Sequence, residues 1–277
     1  MLKNRFRWSA KITTIIVCIM ASTSKSFPIS PGDSTPLDIN LMRIISQDKG
    51  EGTDIQKLED QCLLLLNDYN SPEDKGKIYA NIAFMYSGHG YSSLKSIRIA
   101  KTEEYCWKAL EYPLDTITTC ETYASLSGSQ IAPYYERPAE EFTKARKESI
   151  VTCLTGLKLA LDNNAPKEWK EQQVHRPPIV LTHTGDPNDP SYKKRLKEVT
   201  KWNEELIAEH KKEKFEQNLF IIRRAAIDSC AGLYSSKPPY DTNELEKFAR
   251  DILKGHDDAV DEIMIRTRQL IPQQGHK

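Results

Sequence analysis

The sequence predicts an all-α protein: stacked helical hairpins of repeat-like character, followed by a long C-terminal helical hairpin. Three observations carry this. Apolar residues recur at spacings of three and four along nearly the whole chain. Strand signals are confined to "PPIVLTH" (residues 177–183), whose apolar centre is three residues long. Similar helix ends recur around Cys62, Cys106 and Cys153, 44 and 47 residues apart.

The chain opens with basic residues, an apolar run at 12–21 and then small polar residues, the pattern of an export signal over 1–24. Ser22 and Ser24 suit cleavage after Ser24, with Ser24 and Ser26 as a second choice. The run is about half a membrane span, so the other reading is an uncleaved N-terminal anchor, with no further membrane insertion. Residues 25–36 hold three prolines and a glycine and predict a flexible leader.

Helices follow in order. A short one occupies 36–47. A second covers 54–69, with Ile55, Leu58, Cys62, Leu65 and Leu66 on one face. The third starts at Pro72 after Ser71, carries Glu73 and Asp74 where the helix dipole favours anions, and ends at Gly88 and Gly90. The fourth spans 93–111 and stops at Pro113, the fifth spans 114–127 and ends near Gly128, and the sixth spans 138–162. A repeat-like domain thus covers 37–165. The proline-rich stretch 166–190 predicts an irregular connection. The C-terminal hairpin covers 191–272. Its long charged helix (191–234) has a bend expected at 211–214; a last helical segment starts at Asp241 or Thr242 and is interrupted at Gly255. Residues 273–277 form a tail.

Within 54–165 the chain resembles the tetratricopeptide repeat family. Tyr79, Ile82, Ala83 and Tyr86 take offsets 0, 3, 4 and 7 of that family's first helix. Thr102, Cys106 and Ala109, and again Cys153, Leu157 and Ala160, take offsets 0, 4 and 7 of its second. "KALEYP" resembles the usual repeat ending, although Pro113 falls one position early and the connection at "GHGYSSL" is about seven residues longer than the family's pattern. The resemblance implies stacked two-helix units and a concave groove that binds peptides or proteins without chemistry. The implied partner is a protein or peptide, met in the cell envelope or outside the cell. Tyr79, Asn81 and Tyr86 are the expected lining; Tyr134 and Tyr135, in a proline-flanked linker, either add aromatic contact area or pack down on the helices.

The chain of 277 residues carries 39 basic and 39 acidic side chains, but Lys3, Arg5, Arg7, Lys11 and Lys25 precede the first acidic residue, Asp33. Without those five, 34 basic side chains face 39 acidic ones, a net of −5, which argues against a nucleic-acid-binding body. After cleavage five cysteines remain, an odd number with no CxxC pair. They read as buried thiols, or as one inter-helix disulfide such as Cys106 with Cys120.

No nucleophile motif, phosphate loop, dinucleotide fingerprint or zinc-helix motif is present, so no catalytic residue, metal ligand or cofactor is assigned. His89, between two glycines, reads as a turn. "THTGDPNDPS" has oxygen ligands but lacks the glycine and glutamate of a calcium loop. "HDDAVDE" (256–262) reads as a solvated acidic face, pairing Asp257 with Asp261 and Asp258 with Glu262, and leaving His256 without a carboxylate on its own face. The rival functional reading is a secreted, metal-assisted hydrolase using His175, His183 or Asp186 in 174–190.

Overall fold

The computed structural model describes residues 35–48, 53–87, 95–169 and 190–271. The export signal, nearly all of the leader, the turn at His89, His175, His183 and Asp186 of the connection, and the tail lie outside the described residues. The described residues are all-α: α1 Pro36–Ile45, α2 Ile55–Leu64, α3 Pro72–Ser87, α4 Lys95–Leu110, α5 Thr116–Ile131, α6 Ala139–Asp162, α7 Pro190–Ser235, α8 Thr242–Ile252 and α9 Asp257–Leu270. None of these helices is long and apolar enough to cross a membrane.

Helix starts follow local chemistry. Thr35 and Asp38 form a reciprocal capping box on α1. The Asp54, Asp115 and Asp241 carboxylates accept from backbone N–H groups of the first turns of α2, α5 and α8. Ser71 accepts from the Asp74 N–H at 3.1 Å. Gly255, at φ +88°, makes the turn between α8 and α9, a backbone conformation that disfavours any side chain.

Each helix packs on its neighbour in the chain or on the helix after that. α3 and α4 lie antiparallel, as do α5 and α6: Tyr79 meets Tyr112, and the Ser127 hydroxyl reaches the Ser149 carbonyl at 2.8 Å. The approach is close where side chains are absent. A Cβ on Gly156 would lie 2.8 Å from Tyr123 Cβ, so only glycine lets α5 and α6 meet there. One core gathers α1 to α4 around Leu41, Leu58, Ile78 and Ile82. A second gathers α6 to α9 around Phe142, Leu157, Leu245 and Ile263.

Several expectations need correction. α5 runs on through Gly128 to Ile131, because Ser129 and Ile131 are buried beyond the glycine. The long helix expected over 191–234 is α7, 46 residues without a break through 211–214. Cys106 and Cys120 form no disulfide: Cys106 sits in the first core, while Cys120 packs with Ala160 and Leu219 in a separate small cluster. All five described thiols are free and buried. Burial, aided by nearby carboxylates, pushes Cys62 and Cys120 up to about 12, which makes both poor nucleophiles.

The acidic cluster is solvated as expected, with Asp257, Asp258 and Asp261 exposed, and it is also ion-paired. Asp258 and Glu262 share the buried Arg223 at 3.3 and 2.9 Å. Asp257 and Asp261 share Arg250 at 3.2 and 3.7 Å. His256 does find a carboxylate, on another helix: its Nε2 lies 2.8 Å from Asp162 Oδ1. Among the described residues no group of three or more His, Cys, Asp or Glu side chains is arranged to hold a metal.

Candidate functional site

Two of the expected partner-binding residues belong to a tyrosine stack on a buried carboxylate. α2 places Glu59, 2% exposed, against α3 and α4. Its two oxygens accept from the Tyr86 and Tyr105 hydroxyls, and the Lys101 ammonium donates at 3.0 Å. Burial alone would raise the Glu59 pKa; Tyr105, Tyr86 and Lys101 together reverse that and hold it below the ordinary value. Burial and the same carboxylate hold both phenols far above theirs. The Tyr86 and Tyr105 rings stack at 6.4 Å, Tyr79 follows at 6.1 Å, and Tyr112 lies 5.8 Å beyond Tyr79. Lys101 and Lys108 sit over the Tyr105 ring. The group is chemically quiet: a carboxylate with its acceptors filled is no base, and phenols held protonated are no nucleophiles. It pins α2, α3 and α4 together.

Tyr86 is therefore interior, and Tyr79 faces α4. Asn81 is half-buried and its side-chain amide donates to the Lys77 carbonyl at 2.8 Å. Tyr134 and Tyr135 pack down on the second core, the alternative of the two weighed for them. The Tyr135 ring lies 5.6 Å from Phe142, and its buried hydroxyl has no hydrogen-bond partner. The five side chains do not converge on one surface.

A different place does converge. A cavity of about 100 Å³ lies between the end of α3, the middles of α5 and α6, and the last third of α7. Phe84, Leu157 and Ile222 give it apolar walls, while Ala124, Gly128, Gly156 and Ala225 keep it open by being small. Ala124 is exposed, so the lining reaches the surface. Its polar groups are Ser87, Ser125, Ser127, Ser229 and the Glu121 carboxyl. Neighbouring turns of one sequence segment supply the α5 wall, but no periodicity shows that α3 and α7 complete it.

Glu121 is the one unusual acid here. Burial first, and Asp115 second, push its pKa up to about 7. Below about pH 4.5 the carboxyl is protonated whether the chain is folded or not. Between 4.5 and 7 the unfolded chain ionises first, so stability falls as pH rises, and above 7 the penalty is constant. Glu121→Gln is accordingly expected to stabilise the protein by about 1–3 kcal/mol at pH 8 and to leave it unchanged at pH 4. Urea denaturation at the two pH values measures this; equal effects at both would refute the buried-acid account.

No family model matches the chain, and no curated protein or solved structure matches it.

Proposed function

We propose that this is an exported, non-catalytic helical-repeat protein that binds a peptide or protein segment along the face shared by α3, α5 and α7. The cavity among those alternate helices takes an apolar side chain of the partner. The cavity itself is the observation that carries the reading: it is mainly apolar, lined in good part by small residues, and walled by α3, α5 and α7, which are second neighbours in the chain, with α6 completing the wall. In the tetratricopeptide-like reading α3, α5 and α7 are the first helices of successive units, the ones that line a concave groove. The contacts of α3 with α5 and of α5 with α7, between alternate helices, support that stacking. A cavity of about this size suits a branched aliphatic side chain. On this reading the recognition residues are Phe84, Ser87, Glu121, Ala124 and Ser229.

One observation favours a second reading. A glutamate pushed up to about 7 is poised to act as a general acid or base. Burial holds the neighbouring Cys120 thiol protonated, and among the described residues no hydrogen bond joins Glu121 to the serine hydroxyls that line the cavity. Binding is therefore the stronger reading.

Selection of a displayed random-peptide library on the purified protein tests it. Enriched peptides are expected to share one aliphatic anchor. Ala124→Phe, on the exposed part of the lining, should weaken their binding at least tenfold without changing the melting temperature. Peptides without a common apolar anchor, or equal binding by Ala124→Phe, would overturn the proposal.

A further inference from the structure

Among the described residues, the amino-terminal half of α7, termed the arm, fully buries no side chain. Leu219 is the first residue of α7 that is buried among those described, so about 44 Å of helix precedes it, at 1.5 Å per residue. The arm has a seam. Leu196, Val199, Asn203 and Leu206 recur at spacings of three, four and three, the a and d positions of a heptad. Leu196 is 42% exposed, and Val199, Trp202 and Leu206 are half-buried. Ile207, beside the seam, is 51% exposed.

The charges on the arm are divided along its length. Residues 193–201 carry five basic side chains and one acidic; residues 202–210 carry Glu204, Glu205 and Glu209 and no lysine or arginine. A helix with one basic and one acidic half repels a parallel copy and attracts an antiparallel one. We propose that this arm pairs with the same arm of a second copy as an antiparallel, two-fold symmetric coiled coil centred at Lys201.

The register follows from the heptad. With residue i facing residue 402 − i, Leu196 packs on Leu206 of the second copy, and Val199 faces the single polar seam position, Asn203. The flanking positions then bring Arg195 opposite Glu209 twice and Trp202 against itself at the axis. Arg195 and Glu209 are both exposed, and neither has an ion-pair partner within its own chain among the described residues. Every contact off the axis is made twice, as a two-fold interface requires. The seam spans under three heptads, so the dimer is expected to be weak, with dissociation at about micromolar concentration.

Sedimentation equilibrium of the purified protein from about 1 to 300 μM tests this. The mass should rise toward twice the monomer value. Arg195→Glu and Glu209→Arg alone should each weaken the dimer at least tenfold, and the two together should restore it. Salt should weaken the wild-type dimer. Trp202→Cys should cross-link across the axis, while Leu196→Cys, which does not face itself, should not. A monomer throughout the range overturns the proposal, and is the outcome expected if residues 170–189 of the same chain cover the seam. A dimer unaffected by the charge reversals, or one cross-linked by Leu196→Cys, overturns the antiparallel register. None of these results depends on whether peptides bind the cavity.

Discussion

Arg146→Ala is expected to lower the stability of the protein by about 3–5 kcal/mol, seen as a melting temperature about 10 °C lower. The side chain is 1% exposed in the middle of α6. Among the described residues no carboxylate comes within ion-pair distance of it. Its charge is met by carbonyls: one terminal nitrogen donates to Lys237 at 2.6 Å and toward Tyr234 at 3.4 Å, the other to Pro239 at 2.9 Å. Those carbonyls belong to the end of α7 and the turn behind it, where a helix has no internal donors left. The guanidinium also lies 4.7 Å over the Tyr234 ring and 5.6 Å from that of Phe142. Burial pulls its pKa below the ordinary arginine value, but an arginine stays charged across the usable pH range. Truncation to alanine leaves a cavity and several carbonyls without a donor, so both costs are incurred at once. Arg146→Met refills most of the volume and recovers only the first. Denaturant titration of the two variants separates them. A loss below 1 kcal/mol for Arg146→Ala would show that water takes over the carbonyls and that the arginine is not what holds α6 to the α7–α8 turn.

Both the buried arginines and the buried glutamate were legible in one respect and hidden in another. Helix starts and the apolar faces could be read from short-range chemistry: Ser71 with Pro72, Asp241, the 3–4 spacing through α2 and α6. The same spacing marks the buried charges. Glu59 lies four residues after Ile55 and three before Cys62, in phase with the apolar face of α2. Arg146 falls four after Phe142 and four before Ile150, and Arg223 four after Leu219 and four before Ile227. A charged residue in phase with an apolar stripe is a signal of an internal polar contact, because burying it unpartnered costs several kcal/mol. What the spacing cannot give is the partner. Glu59 meets hydroxyls 27 and 46 positions away. The Arg146 carbonyls lie about 90 positions on. The cavity is assembled from residues between Phe84 and Leu233, so its walls depend on how four helices are placed, which local pattern does not encode. Tyr79 and Tyr86 were readable as a pair on one helix, and their true company, Tyr105 and Glu59, came from two others.

Glu59→Ala is the second large effect, again about 3–5 kcal/mol. Removing the carboxylate leaves two phenol hydroxyls inside the first core with nothing to donate to, at about 1–3 kcal/mol each. Lys101, with 28% of its side chain exposed, can turn to water and so adds little. Glu59→Gln keeps the shape and one carbonyl acceptor, and should cost roughly half as much. The pH dependence follows from the direction of the shift. The folded pKa is depressed, so the carboxylate stabilises the fold above the ordinary glutamate value, near 4.5, and the contribution is lost as pH falls through the lower folded value. The gap between wild type and Glu59→Gln should therefore be constant from about pH 5 to 8 and narrow below 4, the reverse of the Glu121→Gln profile. The tyrosines give an independent readout. Spectrophotometric titration should find Tyr86 and Tyr105 resistant to ionisation until the protein unfolds in alkali, and Glu59→Ala should release them to titrate earlier. If the acid-side profile of Glu59→Gln runs parallel to wild type, or if the phenols titrate normally in the folded protein, the carboxylate is not the group that joins α2, α3 and α4.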